Sequence, residues 1–313
     1  MPAKAVLLGS NGQIGRVLTR ALIDKYGYDN VIGSDVRDPE QEYCRFEKVD
    51  ITDKARVRKF IGDHDPEVVY HLAALLSAKG ETNPSLTWKI NLDGLLNVLN
   101  VCTDLDVDRV FFPSSIAVFG DTTPKVNTPQ ASPLLPTTVY GMSKVAGENW
   151  CNYYHLKYGL DVRSLRYPGV IGYQSIPEGG TTDYAVEIFH HALKEGHYNC
   201  FLEENTRLPM IYMPDAVKAT MGLMAADPDD IHIRYSYNLT GMSFTPGDIA
   251  RVITRFIPDF TIDYKPDFRQ EIAASWTESI DDSQARQDWK WDPDYDLESM
   301  TKDMLEKIKK IYN

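Results

Sequence analysis

Short apolar runs separated by stretches of helical periodicity dominate the first half of the chain. Residues 5–8, 31–34, 46–51, 68–74, 110–115 and 162–165 read as strands. Between them Ile14, Val17, Leu18, Ala21 and Leu22, and later Leu92, Leu95, Leu96, Val98 and Leu99, recur with a helical period and predict helices buried on one side. Strand, helix, strand at this spacing predicts an α/β fold, a doubly wound parallel sheet with right-handed crossovers. Beyond about Tyr167 the grain changes, as Pro168, Pro177, Pro209, Pro214, Pro246 and Pro258 cut the chain into shorter elements. Helices are predicted there over 216–224, 249–256 and 297–311. The expected division is a sheet domain over 1–168, with 211–240 returning to it, and a smaller discontinuous cap built from 169–210 and 241–313.

Composition narrows this picture only by exclusion. With 313 residues, 43% hydrophobic and 25% charged, the chain has ordinary globular usage and is neither collagen-like nor disordered. No apolar run approaches the roughly 18 residues a membrane span needs, and the opening run is too short for a signal peptide. A soluble cytoplasmic protein with no membrane partner is expected. Against 33 basic residues stand 45 acidic ones, a net charge of -12, with no Lys/Arg stripe to neutralise phosphates, so nucleic acid is not an expected partner. Cys44, Cys102, Cys151 and Cys200 are widely spaced without a C-x-x-C, and His190-His191 has no third ligand at metal spacing. Neither a disulfide framework nor a metal site is expected.

Candidate chemistry begins where the first strand runs into Gly9-Ser-Asn-Gly12-Gln-Ile-Gly15 and then into a helix. Gly9 permits the tight turn, Gly12 lets backbone approach a pyrophosphate, and Gly15 lets the helix pack on the strand. The helix N-terminus offers unpaired N–H groups to a diphosphate, and Asn11, Gln13 and Ile14 belong to the same turn. Asp35 stands 20 residues after Gly15, at the end of the second strand, where a carboxylate accepts hydrogen bonds from a ribose. The same carboxylate repels a 2′-phosphate, so NAD is expected rather than NADP, with nearby Arg37 the one feature that would suit a phosphate. Asp50-Ile51, closing the third strand, is placed to meet an adenine edge. His71 reads as a structural histidine under this loop, and Ala73-Ala74 lets backbone lie against the cofactor.

A second constellation follows. Tyr140-Gly-Met-Ser-Lys144 starts a helix, which sets phenol and ammonium four residues apart on one face. A tyrosine with a pKa near 10 is a poor base at neutral pH, and a neighbouring lysine charge together with the positive nicotinamide favours its phenolate and pulls that value down. Some 25 residues earlier, Phe111-Phe-Pro-Ser-Ser115 is a strand ending in two hydroxyls, one of which can hydrogen-bond a reacting oxygen while the phenol takes its proton. Asn91, in a helix facing the sheet, is a candidate tether for the serine strand or a water. Trp276, Trp289 and Trp291 read as core of the cap.

Together Gly9 to Gly15, His71-Leu-Ala-Ala74, Pro113-Ser-Ser115 and Tyr140-x-x-x-Lys144 resemble the extended short-chain dehydrogenase/reductase family over essentially the whole chain. The resemblance implies an NAD-binding Rossmann domain, a smaller substrate-binding domain, Tyr140 as catalytic acid/base, Lys144 on the nicotinamide ribose and Ser115 at the substrate oxygen. Leu72 and Tyr167 join Ala73, Ala74, Tyr140 and Lys144 as expected cofactor contacts. Segments 165–171, 179–185 and 206–212 look like the branch of short-chain, non-zinc L-threonine 3-dehydrogenases. For that branch the expected reaction is NAD-dependent oxidation of the threonine Cβ hydroxyl to 2-amino-3-oxobutanoate, with Ser77, Thr181 and Thr182 joining Ser115 and Tyr140 as substrate contacts.

Two other readings stand beside it. A nucleotide-sugar 4-epimerase of the same family would carry a diphosphate-binding arginine seven residues before Asp215, where this chain has Leu208 with Arg207 one place off. A dehydratase would add an Asp-Glu pair after the serine strand, and Ser114-Ser-Ile-Ala117 has none. A non-catalytic NAD sensor has no need of the Tyr-Lys-Ser set. Ser77, Thr181 and Thr182 also suit helix or turn caps, and Gly179-Gly180 would suit a closing lid. Helices around 86–101 and 140–158 are more apolar than one sheet face requires, and in this family such helices pair between subunits, so a homodimer is expected.

Overall fold

The computed structural model describes residues 4–174 and 180–312. The chain forms two compact units, Met1–Val118 with Pro136–Arg166 and Val217–Tyr237, and Phe119–Leu135 with Tyr167–Ala216 and Asn238–Asn313. The first unit is organised by a seven-stranded parallel sheet. Its first six strands in chain order are β1 (Ala5–Leu8), β2 (Val31–Asp35), β3 (Arg45–Lys48), β4 (Val68–His71), β5 (Arg109–Ser115) and β6 (Asp161–Tyr167). Across the sheet the order is β3-β2-β1-β4-β5-β6, with Tyr237–Asn238 beyond β6. The chain winds outward from β1 to β3, then returns to the other side of β1 and winds outward again through β4 and β5. Between β1 and β4 the order therefore reverses, and such a switch point is where α/β sheets open a crevice for ligands.

Helices α1 (Gln13–Tyr26), α2 (Lys54–His64), α3 (Ser77–Thr82), α4 (Pro84–Trp88), α5 (Gly94–Asp104) and α6 (Val139–Tyr158) connect these strands. Val57, Phe60 and Ile61 of α2, Leu95, Val98 and Leu99 of α5, and Cys151 and Tyr154 of α6 bury one sheet face with Val6, Ile32, Val69, Val110 and Phe112. Two strands are shorter than their apolar runs. The run 46–51 leaves the sheet after Lys48, because Asp50 Oδ1 accepts hydrogen bonds from the N–H and hydroxyl of Thr52 and turns the chain. The run 68–74 leaves after His71, with one last sheet bond from Leu72 N–H to the Leu8 carbonyl, and then follows the glycine turn.

The second unit has its own core. Leu208–Tyr212 lies between Met242–Phe244, antiparallel to it, and Gly169–Ile171, parallel to it, and His197–Cys200 pairs in parallel with Thr261–Tyr264. Tyr184, Ile188, Phe189, Met210, Phe244, Ile249, Met300 and Met304 are among its buried side chains. The predicted helices extend to Met213–Ala225, Pro246–Phe256 and Leu297–Tyr312. The second starts three residues earlier than its apolar period because Thr245 and Asp248 form a reciprocal capping box around Pro246. Trp289 and Trp291 are buried, and the Trp291 indole N–H is shared between Asp282 and the Thr240 carbonyl.

Candidate active site

The glycine turn is dictated by backbone crowding. Gly9 has φ +92°, and a Cβ there would lie 2.5 Å from the Ala73 nitrogen. A Cβ on Gly15 would lie 2.3 Å from the Gly9 carbonyl oxygen. Gly12 differs, since its Cβ would meet only that carbonyl, at 3.4 Å, and α1 begins beside it with no side chain capping its N–H groups. Open space in front of uncapped N–H groups fits the diphosphate of a dinucleotide. Gln13 and Ile14 open α1, and Asn11 is buried in the turn. Asp35, at the end of β2, accepts the Asn11 N–H at 3.3 Å on one oxygen and the Arg37 N–H at 3.2 Å on the other. Asp50 is exposed, whereas Ile51 is buried and its carbonyl accepts from Asn97. Leu72, Ala73 and Ala74 are half-buried in the segment packed on Gly9.

His71 stacks on Phe112 with ring centroids 6.4 Å apart. Its Nδ1 is buried without a partner, and burial, reinforced by the Lys144 charge, pushes its pKa down to about 3. The ring is therefore neutral at pH 7 and acts as packing beneath the loop.

The second cluster is set by α6. Thr138 caps this helix by accepting the Gly141 N–H, the Glu81 carboxylate of α3 accepts the Val139 N–H, and Gly159 at φ +73° ends it. A Cβ at position 141 would lie 2.2 Å from the Ala117 carbonyl, so a glycine next to Tyr140 is what allows the helix to close on the chain leaving β5. That approach brings the Tyr140 phenol beside the Ser115 side chain, whose influence pulls its pKa down. One turn along, Lys144 is buried, donates to the Pro113 carbonyl at 2.7 Å, and sits 5.5 Å from the Tyr140 ring centroid and 4.7 Å from that of Phe112. Burial pushes Lys144 down to about 8 and Tyr140 up to about 12, the latter against the opposing pull of Ser115. Lysine proximity by itself therefore does not lower the phenol in the chain. A further positive charge, such as the oxidised nicotinamide ring carries, is what the phenolate still requires.

Two residues that spacing did not single out, Glu148 and Arg166, complete the cluster. Glu148, one turn beyond Lys144, is buried, accepts the Ser114 hydroxyl at 2.6 Å, and forms a two-pronged ion pair with Arg166 of β6 at 2.9 and 2.8 Å. The pair ties α6 to β5 and β6 beside the reactive groups. A Glu at i+4 from the lysine was its one visible signal. Asn91 lies in a π-helical turn, Lys89–Asp93, where it exchanges hydrogen bonds with both backbone groups of Leu75 and donates to Ser143. It thus tethers the loop after β4 to α6, not to the serine strand.

Of the expected substrate contacts, Ser77 is half-buried at the first position of α3. Thr181 and Thr182 belong to the second unit; Thr181 is buried, and Thr182 packs against Gly169. Neither threonine caps the following helix, whose N-cap is Asp183. Tyr167 is buried at the end of β6. Gly179 lies outside the described residues, and so does the lid expectation placed on it. Among the described residues no three His, Cys, Asp or Glu side chains are grouped to hold a metal, all four cysteines are free, and no helix is long and apolar enough to cross a membrane.

The chain is similar over almost its whole length to proteins of solved structure. A GalE-like L-threonine dehydrogenase from Cupriavidus necator, solved in its holo form, is 50% identical, with 97% of this chain and 99% of that one covered at a TM-score of 0.96. An L-threonine dehydrogenase from Clostridium difficile is 45% identical, with 99% and 98% covered at a TM-score of 0.97. An uncharacterised epimerase/dehydratase of Staphylococcus aureus is 47% identical over 310 residues, 97% of this chain and 96% of that protein. The model of the NAD dependent epimerase/dehydratase family matches residues 5–239, and the chain, an NAD-dependent Rossmann protein, belongs to that family.

Proposed function

We propose that the protein oxidises the Cβ hydroxyl of L-threonine to 2-amino-3-oxobutanoate. The observation that carries the reading is the Ser115, Tyr140 and Lys144 cluster in a chain 45–50% identical, over nearly its whole length, to solved L-threonine dehydrogenases. Bound NAD supplies the hydride acceptor. Gly9, Asn11, Gly12, Gln13, Ile14 and Gly15 would hold its diphosphate, Asp35 its ribose, Asp50 and Ile51 its adenine, and Leu72, Ala73, Ala74 and Tyr167, with Tyr140 and Lys144, its nicotinamide half. Ser115 orients the substrate hydroxyl, Tyr140 takes its proton, and Lys144, anchored on the Pro113 carbonyl, supplies positive charge behind the phenol. The Cβ–H bond breaks with its electron pair passing as hydride to the acceptor while the O–H proton moves to Tyr140 and on to solvent. General-base assistance of this kind contributes roughly 10²–10⁴-fold. Ser77, Thr181 and Thr182 are kept as proposed substrate contacts.

Nucleotide-sugar epimerisation is the competing reading. Its arginine candidate is already engaged, since Arg207 donates to the Ser243 carbonyl at 2.9 Å and to Asp248 at 3.1 Å. Mixing the purified protein with NAD and L-threonine decides between them. Steady NADH absorbance is expected. Its absence, together with turnover of a UDP-sugar, would reverse the assignment, and silence with both would favour an NAD sensor.

A cytoplasmic homodimer is part of the proposal. Leu86, Trp88, Met142, Trp150, Tyr153 and Leu156 are exposed on α4 and α6, and exposed apolar side chains gathered in this way mark association surfaces. Sedimentation showing only monomer at micromolar concentration would oppose it.

A further inference from the structure

The loop between β2 and β3 carries a tyrosine to which the proposed chemistry gives no task. Tyr43 is half-buried, and its hydroxyl donates to the Ser10 carbonyl at 2.7 Å and to Asn11 Oδ1 at 3.0 Å. Both acceptors lie in the glycine turn. We propose that Tyr43 sets cofactor selectivity by clamping Asn11, which in turn holds the Asp35 carboxylate where it accepts a free ribose and turns away a 2′-phosphate. The inference rests on Asp35 as the ribose acceptor and deepens that reading.

Asn11 is engaged at every polar group it has. Its N–H donates to Asp35 Oδ2, its Nδ2 donates to the Arg37 carbonyl at 2.7 Å, its Oδ1 accepts from Tyr43, and its carbonyl accepts from Arg16 Nε at 3.0 Å. A carbonyl only accepts, so the amide nitrogen must face Arg37 and the amide oxygen must face Tyr43. The orientation of this one amide therefore couples residue 43 to the turn formed by residues 35–37. The Arg37 N–H holds the other Asp35 oxygen, so each carboxylate oxygen is fixed by one backbone donor and keeps acceptor capacity for ribose hydroxyls. The Arg16 and Glu40 ion pair, at 3.3 Å, joins the same two segments a second time. Burial raises the Tyr43 pKa, so the hydroxyl keeps its proton at neutral pH.

The single Tyr43 proton is shared by two acceptors. Replacing the hydroxyl leaves the Ser10 carbonyl and Asn11 Oδ1 without it, and the amide is free to rotate away from Arg37. The turn then slackens, Asp35 loses its fixed direction, and the exposed Arg37 guanidinium gains freedom to meet a 2′-phosphate.

The test is direct binding of NAD and NADP to the full-length chain by calorimetric titration, with no amino acid present. Wild type, Tyr43→Phe and Asp35→Ala are compared, with a melting curve for each. Tyr43→Phe is expected to weaken NAD about three- to tenfold, the scale of one or two lost hydrogen bonds, without weakening NADP, so that the preference for NAD falls. Asp35→Ala is expected to reduce the preference further. A merely structural role for Tyr43 would weaken both nucleotides equally, whether or not the melting temperature falls, and that result overturns the clamp. An unchanged ratio in Tyr43→Phe with a reduced one in Asp35→Ala overturns the clamp while leaving the ribose reading standing. An unchanged ratio in Asp35→Ala removes the ribose reading and the clamp with it. Because no threonine is used, none of these outcomes depends on the proposed reaction.

Discussion

The glycine turn and the inner face of α6 both stand at the carboxyl ends of sheet strands, yet they reach their geometry by opposite means. In the turn the backbone decides, since Gly9 and Gly15 are required by a positive φ and by carbonyl and amide atoms within 2.5 Å of where a Cβ would be. At α6 side chains decide, since Ser115, Tyr140, Lys144, Glu148 and Arg166 come from three elements, with Lys144 donating to the Pro113 carbonyl, Ser114 donating to Glu148, and Glu148 in a buried ion pair with Arg166. A backbone device tolerates few residue types at fixed spacing. A side-chain device depends on partners far apart in sequence.

The sharpest way to separate the two regions is Tyr140→Phe. It should cut threonine turnover by roughly 10²–10⁴-fold while leaving NAD affinity within about twofold, as seen by steady-state rates and a binding titration. Equal losses in both would mean the regions are not independent. Next in size, Glu148→Gln strips Arg166 of its buried partner and should cost about 3–5 kcal/mol in denaturant unfolding, whereas the paired change Glu148→Gln with Arg166→Met should recover much of it. Gly15→Ala attacks the other device. Its Cβ meets backbone, which cannot swing aside, so about 1–3 kcal/mol of stability and most NAD binding should go together.

The last expected effect is nil at neutral pH and grows only on acidification, at the residue between the two regions. His71 has its pKa depressed to about 3 by burial, against 6.5 unfolded. Above pH 6.5 both states are neutral and nothing is lost. As pH falls from 6.5 towards 3 the unfolded chain binds a proton that the folded one does not, so stability declines through that window. His71→Leu removes this proton and the unpaired Nδ1, and should flatten the acid side of a plot of melting temperature against pH. An unaltered acid slope would show that His71 is not the group responsible.

The same contrast explains what could be read in advance. Alternating apolar runs and helical periods were enough for six of the seven strands of the first sheet, because parallel strands buried on both faces leave long apolar signatures, whereas Tyr237–Asn238 is too short to leave one. Strand ends were less legible, since an Asp50 side chain ending β3 and the turn of 72–74 towards Gly9 depend on local bonds that periodicity does not carry. In the site, the glycine spacing and Tyr140-x-x-x-Lys144 could be recognised because one backbone path and one helix face impose them. Arg166 could not, because its partner lies 18 positions away on another element, and Gly141 looked incidental until its closeness to Ala117 was visible. In the chain by itself burial raises Tyr140 and lowers Lys144, a desolvation effect that the spacing of the two residues does not carry.

The central claim, that the α6 site removes hydride from Cβ of threonine, is tested most directly with L-threonine deuterated at that carbon. Wild-type protein should yield NADH carrying the label, and Tyr140→Phe should yield almost none despite binding NAD. Unlabelled NADH, or no NADH while a nucleotide sugar is epimerised, would contradict it.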